Sequence, residues 1–167
     1  MDGMIRRMVA DETAESVTER YGHARLTADE ADGRVVREVV PVKFLSSGLV
    51  EIVGSPALVM GCVAGDVLRL GSDGHFEIVR RGPNLSVQAF SDPPFTPEAI
   101  RQLTAAFDAI GGIVEAPAHR TFLVATVPAT AGQPAIDAIM NSWSAPFDGL
   151  YWQYSAAAHP VQQDLLW

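Results

Sequence analysis

The chain has 167 residues, 48% of them hydrophobic, with a formal net charge of −8 and a single cysteine, Cys62. That length and apolar content suffice for one ordinary domain or two small ones with packed cores, and a lone thiol excludes an internal disulfide or a multi-cysteine zinc site. No run approaches the roughly 18 apolar residues of a membrane span, and the first residues lack the apolar centre of a signal peptide, so the expected location is cytoplasmic, with no membrane partner.

Residues 1–34 read as a polar N-terminal arm, weakly periodic, with a short helix over about residues 11–21 capped by Asp11 or Thr13. Asp32-Gly33 marks a turn into a small antiparallel β module spanning residues 35–82. Its first hairpin pairs the valine-rich residues 35–42, where Pro41 favours an edge or a bulge, with residues 49–53 across Ser46-Ser47-Gly48. Its second pairs residues 67–70 with 75–80 across Ser72-Asp73-Gly74, and alternation sets Phe76 and Ile78 on one face against His75, Glu77 and Val79 on the other. Between the hairpins, residues 54–65 are too apolar for a solvated loop and too interrupted by glycine for a helix. They are expected to pack across the mouth of a barrel-like module.

After a hinge at Arg81-Gly82-Pro83-Asn84, residues 83–158 read as strand, helix, strand, strand, helix, strand. Thr96 can cap the first helix, Pro97 occupies a position where a missing N–H costs nothing, and Glu98 meets the positive dipole end. Ile100, Leu103, Phe107 and Ile110 then form one apolar stripe, and Gly111-Gly112 supplies the exit. The second helix carries Pro134 near its start, Ile136, Ile139, Met140 and Trp143 as its stripe, and Pro146 as its stop. Strands at 85–90, 113–115, 121–127 and 150–154 complete the pattern, with the first and third of them central. The fold class is therefore α+β: a small antiparallel β barrel-like module followed by a ferredoxin-like, split βαβ sandwich. Residues 159–167 form a tail ending in Leu165-Leu166-Trp167, an apolar end that either folds back onto the sheet or docks another chain.

The order SPALVMGCVAGDVLRL, a SDGHFEIVRR hairpin, GPNLSVQAF, a helix ending in AIGG, RTFLVATVP and a closing GLYWQY resembles the bacterial family catalogued as domain of unknown function 4265, over about residues 40–154. In that family the apolar loop usually carries bulky aromatics after its proline, where this chain has Ala57 and Leu58. The resemblance implies a fold and no established activity. It transfers no catalytic residue.

Charge is distributed unevenly. Residues 1–39 carry 9 acids and 6 bases, residues 40–81 carry 4 and 4, and residues 82–167 carry 7 and 2, giving −3, 0 and −5. A phosphate backbone is repelled by the acidic half, so no nucleic-acid partner is expected; a protein partner is, and a basic one fits better. The histidines at 23, 75, 119 and 159 have no spacing that puts two on one helix face, so no metal or cofactor is assigned. His75 and His119 with Asp73 could form an acid–base pair between the halves, although a surface role is the commoner fate of such residues. Cys62 sits in an apolar segment that raises a thiol pKa and leaves it inert.

The candidate ligand- or partner-binding residues are Arg80, Arg81 and Asn84 with His75 at the crease between the halves, and Trp152 and Tyr154 on an edge strand. The leading reading is a non-enzymatic binding protein, immunity- or antitoxin-like, engaging another protein through an acidic sheet surface, with self-association through the edge strand or the tail as a further route. The alternative is a small-molecule site in the crease, serving a sensor or an enzyme step built around Arg81, Asn84 and His75.

Overall fold

A computed structural model describes residues 19–156. They form a mixed α+β structure of two antiparallel sheets and two helices, with no closed barrel. The first sheet contains β1 (Arg20–Ala31), β2 (Arg34–Ser46), β3 (Leu49–Ile52), β4 (Val67–Leu70) and β5 (Phe76–Arg80), arranged in chain order. Its inner face buries Ala24, Leu26, Val40, Val42, Val50, Ile52 and Leu68, joined by Val59 and Cys62 from the connection between β3 and β4.

Two expectations change here. The sheet is open, not barrel-like: β1 and β5 do not pair, and β1 reaches the β4–β5 turn where the Thr27 N–H donates to the Gly74 carbonyl at 2.9 Å, the Thr27 hydroxyl to the Asp73 carbonyl at 3.0 Å, and Glu30 lies 3.7 Å from His75. Strands β4 and β5, of 4 and 5 residues, are too short to run along the 12 residues of β1. Register slips at Thr27/Asp29, Phe44/Ser46 and Val67/Leu68 bend the sheet without closing it. Secondly, residues 20–31, expected within the polar arm, form β1 and pair with β2 from Arg20↔Phe44 to Ala31↔Arg34. Only Ala24 and Leu26 of that strand are buried, so its inward alternation is too short to stand out among exposed charges. Arg20 and Tyr21 of the expected helix thus lie in a strand. Glu19 is not helical either, and residues 11–18 of that helix, with the tail, fall outside the described residues.

The second sheet is built from β6 (Asn84–Ser91), β7 (Ile113–Glu115), β8 (Phe122–Pro128) and β9 (Leu150–Tyr154), in the order β7-β8-β6-β9 and antiparallel throughout. Helices α1 (Pro97–Asp108) and α2 (Gln133–Ser144) cover one face of it. The first begins as its sequence dictates, with the Thr96 hydroxyl accepting the Ala99 N–H at 3.1 Å. Leu103, Phe107, Ile136, Met140 and Trp143 meet Val87, Ala89, Leu123, Ala125 and Val127 of the sheet in one core. The Trp143 indole N–H finds its partner inside that core, donating to the Ala99 carbonyl at 2.9 Å. No described helix is long and apolar enough to cross a membrane.

Candidate functional site

The face of the second sheet opposite the helices is met by the chain itself. Residues 54–65, read from sequence as a cap on a barrel mouth, lie between the two sheets: Gln88 Nε2 donates to the Pro56 carbonyl at 3.3 Å, the Gly61 N–H to the Ser155 carbonyl at 2.7 Å, and Thr126 Oγ1 to Ser55 Oγ at 2.6 Å. Such a segment forms neither helix nor ladder, so its buried N–H groups need other acceptors. Two carboxylates supply them. Glu38 of β2 accepts from the N–H groups of Ala57, Leu58 and Val59 at 2.8, 2.9 and 3.0 Å. Asp66, wholly buried, accepts from Val63 N–H at 3.0 Å, Gly82 N–H at 2.7 Å and Arg81 Nη1 at 2.9 Å.

Two of the crease candidates therefore hold the fold together. Arg81 Nη1 also donates to the Gly61 carbonyl at 2.8 Å, and Asn84 Nδ2 donates to the Ala64 carbonyl at 2.8 Å. At the same point Gly65 and Gly82 touch backbone to backbone; a Cβ on Gly82 would lie 2.3 Å from the Gly65 carbonyl carbon, so only glycine fits. Beside this contact runs a groove of about 490 Å³ lined by Tyr21, Lys43, Glu51, Arg80, Arg81 and Asn84 among others. Arg80 reaches Glu51 there at 4.0 Å. The structure thus brings Arg80, Arg81 and Asn84 together.

His75 is not with them. It sits at the β4–β5 turn, its Nδ1 3.1 Å from Asp73 and its Nε2 3.7 Å from Glu30. His119 contacts Thr121 at 2.9 Å and the edge of the Phe122 ring in the second half, so each histidine has its partners within its own half. Burial, reinforced by the Asp66 and Glu38 carboxylates, pushes the Cys62 thiol up to about 12. Among the described residues no group of three or more histidine, cysteine, aspartate or glutamate side chains is placed to hold a metal ion.

Trp152 and Tyr154 lie on the helix-facing side of β9, half-buried against the core. Their rings meet edge to face at 5.9 Å, and the Tyr154 hydroxyl donates to Asp137 Oδ1 on α2 at 2.7 Å. Burial, together with that carboxylate, raises the Tyr154 pKa.

The opposite parity of β9 carries what sequence reasoning missed. Phe90 pairs with Phe122 on one side and Tyr151 on the other, making an aromatic row across three strands at one end of the open face. Phe90 and Tyr151 stack at 6.5 Å, and Tyr151 is 57% exposed. Its hydroxyl donates to Gln153 Oε1 at 2.7 Å, and Gln153 Nε2 reaches the Met60 sulfur at 3.4 Å, so the row continues into the exposed Met60 of the connection. The signal for this was the alternation of Tyr151 and Gln153 with Trp152 and Tyr154. Weighting the indole pointed to Trp152 and Tyr154, which the structure half-buries against the helix layer, leaving Tyr151 and Gln153 on the opposite face.

Residues 38–146 match the model of a family described as "Domain of unknown function (DUF4265)". Nothing among curated proteins matches the chain. A hypothetical protein from Neisseria gonorrhoeae, solved as a novel crystal structure, is similar with a TM-score of 0.61 over 83% of this chain and 95% of that one. At 12% identity the likeness extends to the fold alone.

Proposed function

Starting from a chain that belongs to the DUF4265 family of unknown function, we propose a non-enzymatic protein-binding module, immunity- or antitoxin-like, whose contact surface is the bare aromatic end of the second sheet. The strand order β7-β8-β6-β9 with both helices on one face supports reading that half as a ferredoxin-like sandwich. The single observation that carries the proposal is the Tyr151–Phe90–Phe122 row, exposed at Tyr151 and half-buried at the two phenylalanines, running into the exposed Met60 on a face whose remaining centre the chain covers itself. Tyrosine offers large contact area with a polar tip and methionine a flexible, polarisable one, and such residues are enriched at interfaces. The surrounding half carries 7 acids and 2 bases, which favours a basic partner and permits cation–π contacts from its arginines. The partner in this reading is another protein. Edge strand β9, which has β6 as its one strand partner among the described residues, offers self-association as the competing route.

The test couples affinity capture of a partner from the native host with calorimetry of the purified pair. Tyr151→Ala should weaken the complex about 30-fold or more, the scale of an interface hot spot, and added salt should weaken it further. An unchanged affinity in Tyr151→Ala refutes the assignment of this surface. A wild-type dimer by light scattering that Tyr151→Ala dissociates would instead make the occupant a second copy of the chain, against a basic partner.

A further inference from the structure

The crease groove is a separate feature from the aromatic row, and its charges are mixed. Registers across the first sheet align Tyr21, Lys43, Glu51, Val67 and Arg80 in one row. Lys43 is ion-paired with Glu19, and Arg81 with Asp66. Arg80 and Glu51 are left facing each other at 4.0 Å with side chains 69% and 34% exposed, a geometry in which an ion pair holds weakly. A second hollow of about 360 Å³ adjoins the groove, sharing Val53, Ala64 and Asn84 with it and adding Pro41, Ile113 and Pro128. Val53 and Ile113 are among the most exposed apolar side chains of the described residues. The wall common to both hollows is fixed in place by the Gly65–Gly82 backbone contact and by the Asn84–Ala64 hydrogen bond.

We infer that the groove and the hollow beside it form one site for a small amphipathic zwitterion: an apolar α-amino acid, or another compound carrying a carboxylate and an ammonium next to an apolar group. The carboxylate takes Arg80, the ammonium takes Glu51, and the apolar group lies against Val53, Pro41 and Ile113. A ligand bearing both charges replaces a weak pair with two charge-assisted hydrogen bonds. A simple acid leaves Glu51 beside its carboxylate, and a simple amine leaves Arg80 beside its ammonium, so each loses one contact and gains one repulsion.

The test is a titration of the ¹⁵N-labelled full chain with L-leucine, 4-methylpentanoate and 3-methylbutylamine, followed by amide shifts. L-leucine should give saturable shifts at Val53, Gly65 and Asn84 with a midpoint at least about tenfold below either single-charge analogue, the scale of one charged hydrogen bond. Glu51→Gln and Arg80→Gln lie on the surface and should leave the remaining spectrum unchanged while each weakens L-leucine about tenfold. Leucine binding no tighter than the analogues, no saturation by about 50 mM, or shifts confined to other parts of the chain would each overturn the inference.

Discussion

Asp66→Asn removes the charge on which the connection between the sheets turns. The carboxylate is fully buried and accepts from two backbone N–H groups and from Arg81 Nη1. Asparagine keeps one acceptor oxygen and turns an NH₂ toward donors, so at least one hydrogen bond to a charged group is lost, at about 1.5–3 kcal/mol. Breaking a buried ion pair by removing one partner costs about 3–5 kcal/mol, but the Arg81 side chain is 36% exposed and can rehydrate, which places the sum nearer 3 kcal/mol. At about 2–4 °C per kcal/mol for a chain of this size, the melting temperature should fall by about 6–12 °C. Urea unfolding followed by tryptophan fluorescence measures the loss directly, with the m-value unchanged. Adding Arg81→Met should restore part of it, because the orphaned cation is then gone. A loss below about 1 kcal/mol would show that the connection does not depend on this carboxylate.

Three further outcomes follow from the same geometry. Gly82→Ala drives a Cβ to 2.3 Å from Gly65 and should cost more than about 3 kcal/mol by chemical denaturation, whereas Gly33→Ala, at φ 73° with open space around it, should cost about 1 kcal/mol; equal costs would remove the close contact as the cause. Tyr154→Phe should lose about 1 kcal/mol at neutral pH. Because the folded-state pKa of Tyr154 is raised, that contribution is complete below the unfolded value of about 10 and is lost as pH rises through the folded one, so the stability difference between wild type and Tyr154→Phe should shrink in alkaline urea titrations. Cys62, with its thiol held near 12, should resist iodoacetamide in the native chain at about pH 8.5 and react once urea unfolds it; rapid native labelling counts against its burial.

The second half was legible because its signals are local. Thr96, Pro97 and the Leu103–Phe107 stripe decide α1 within 12 residues, and Ile136, Met140 and Trp143 do the same for α2. Where contacts span the chain, legibility fails. Glu38 lies 19 residues from its first acceptor-starved amide at Ala57, and Arg81 lies 15 from Asp66, so nothing local marks either as an anchor. Arg80 and Arg81 look equivalent in sequence, yet Arg81 is fixed to a buried acid and Arg80 stands at an open lip. Strand β1 escaped for a related reason: most of its length pairs only with β2, leaving polar side chains on both faces.

Among the described residues, the covered centre of the open face and its uncovered aromatic end have one cause. An apolar, glycine-broken segment can lie between two sheets only if its amides find acceptors that neither sheet offers. Glu38 satisfies three consecutive N–H groups at its start and Asp66 one near its end, and these anchor points fix how far the segment extends over β6 and β9. It reaches the row of Gln88 and Gln153 through Pro56 and Met60. The next row, Phe122–Phe90–Tyr151, lies beyond it. Covering those rings with this connection would need a longer one with further acceptors for its added amides, and the chain between Gly54 and Asp66 supplies neither. The same carboxylates that seal the rest of the face thus leave the aromatic row uncovered by this connection.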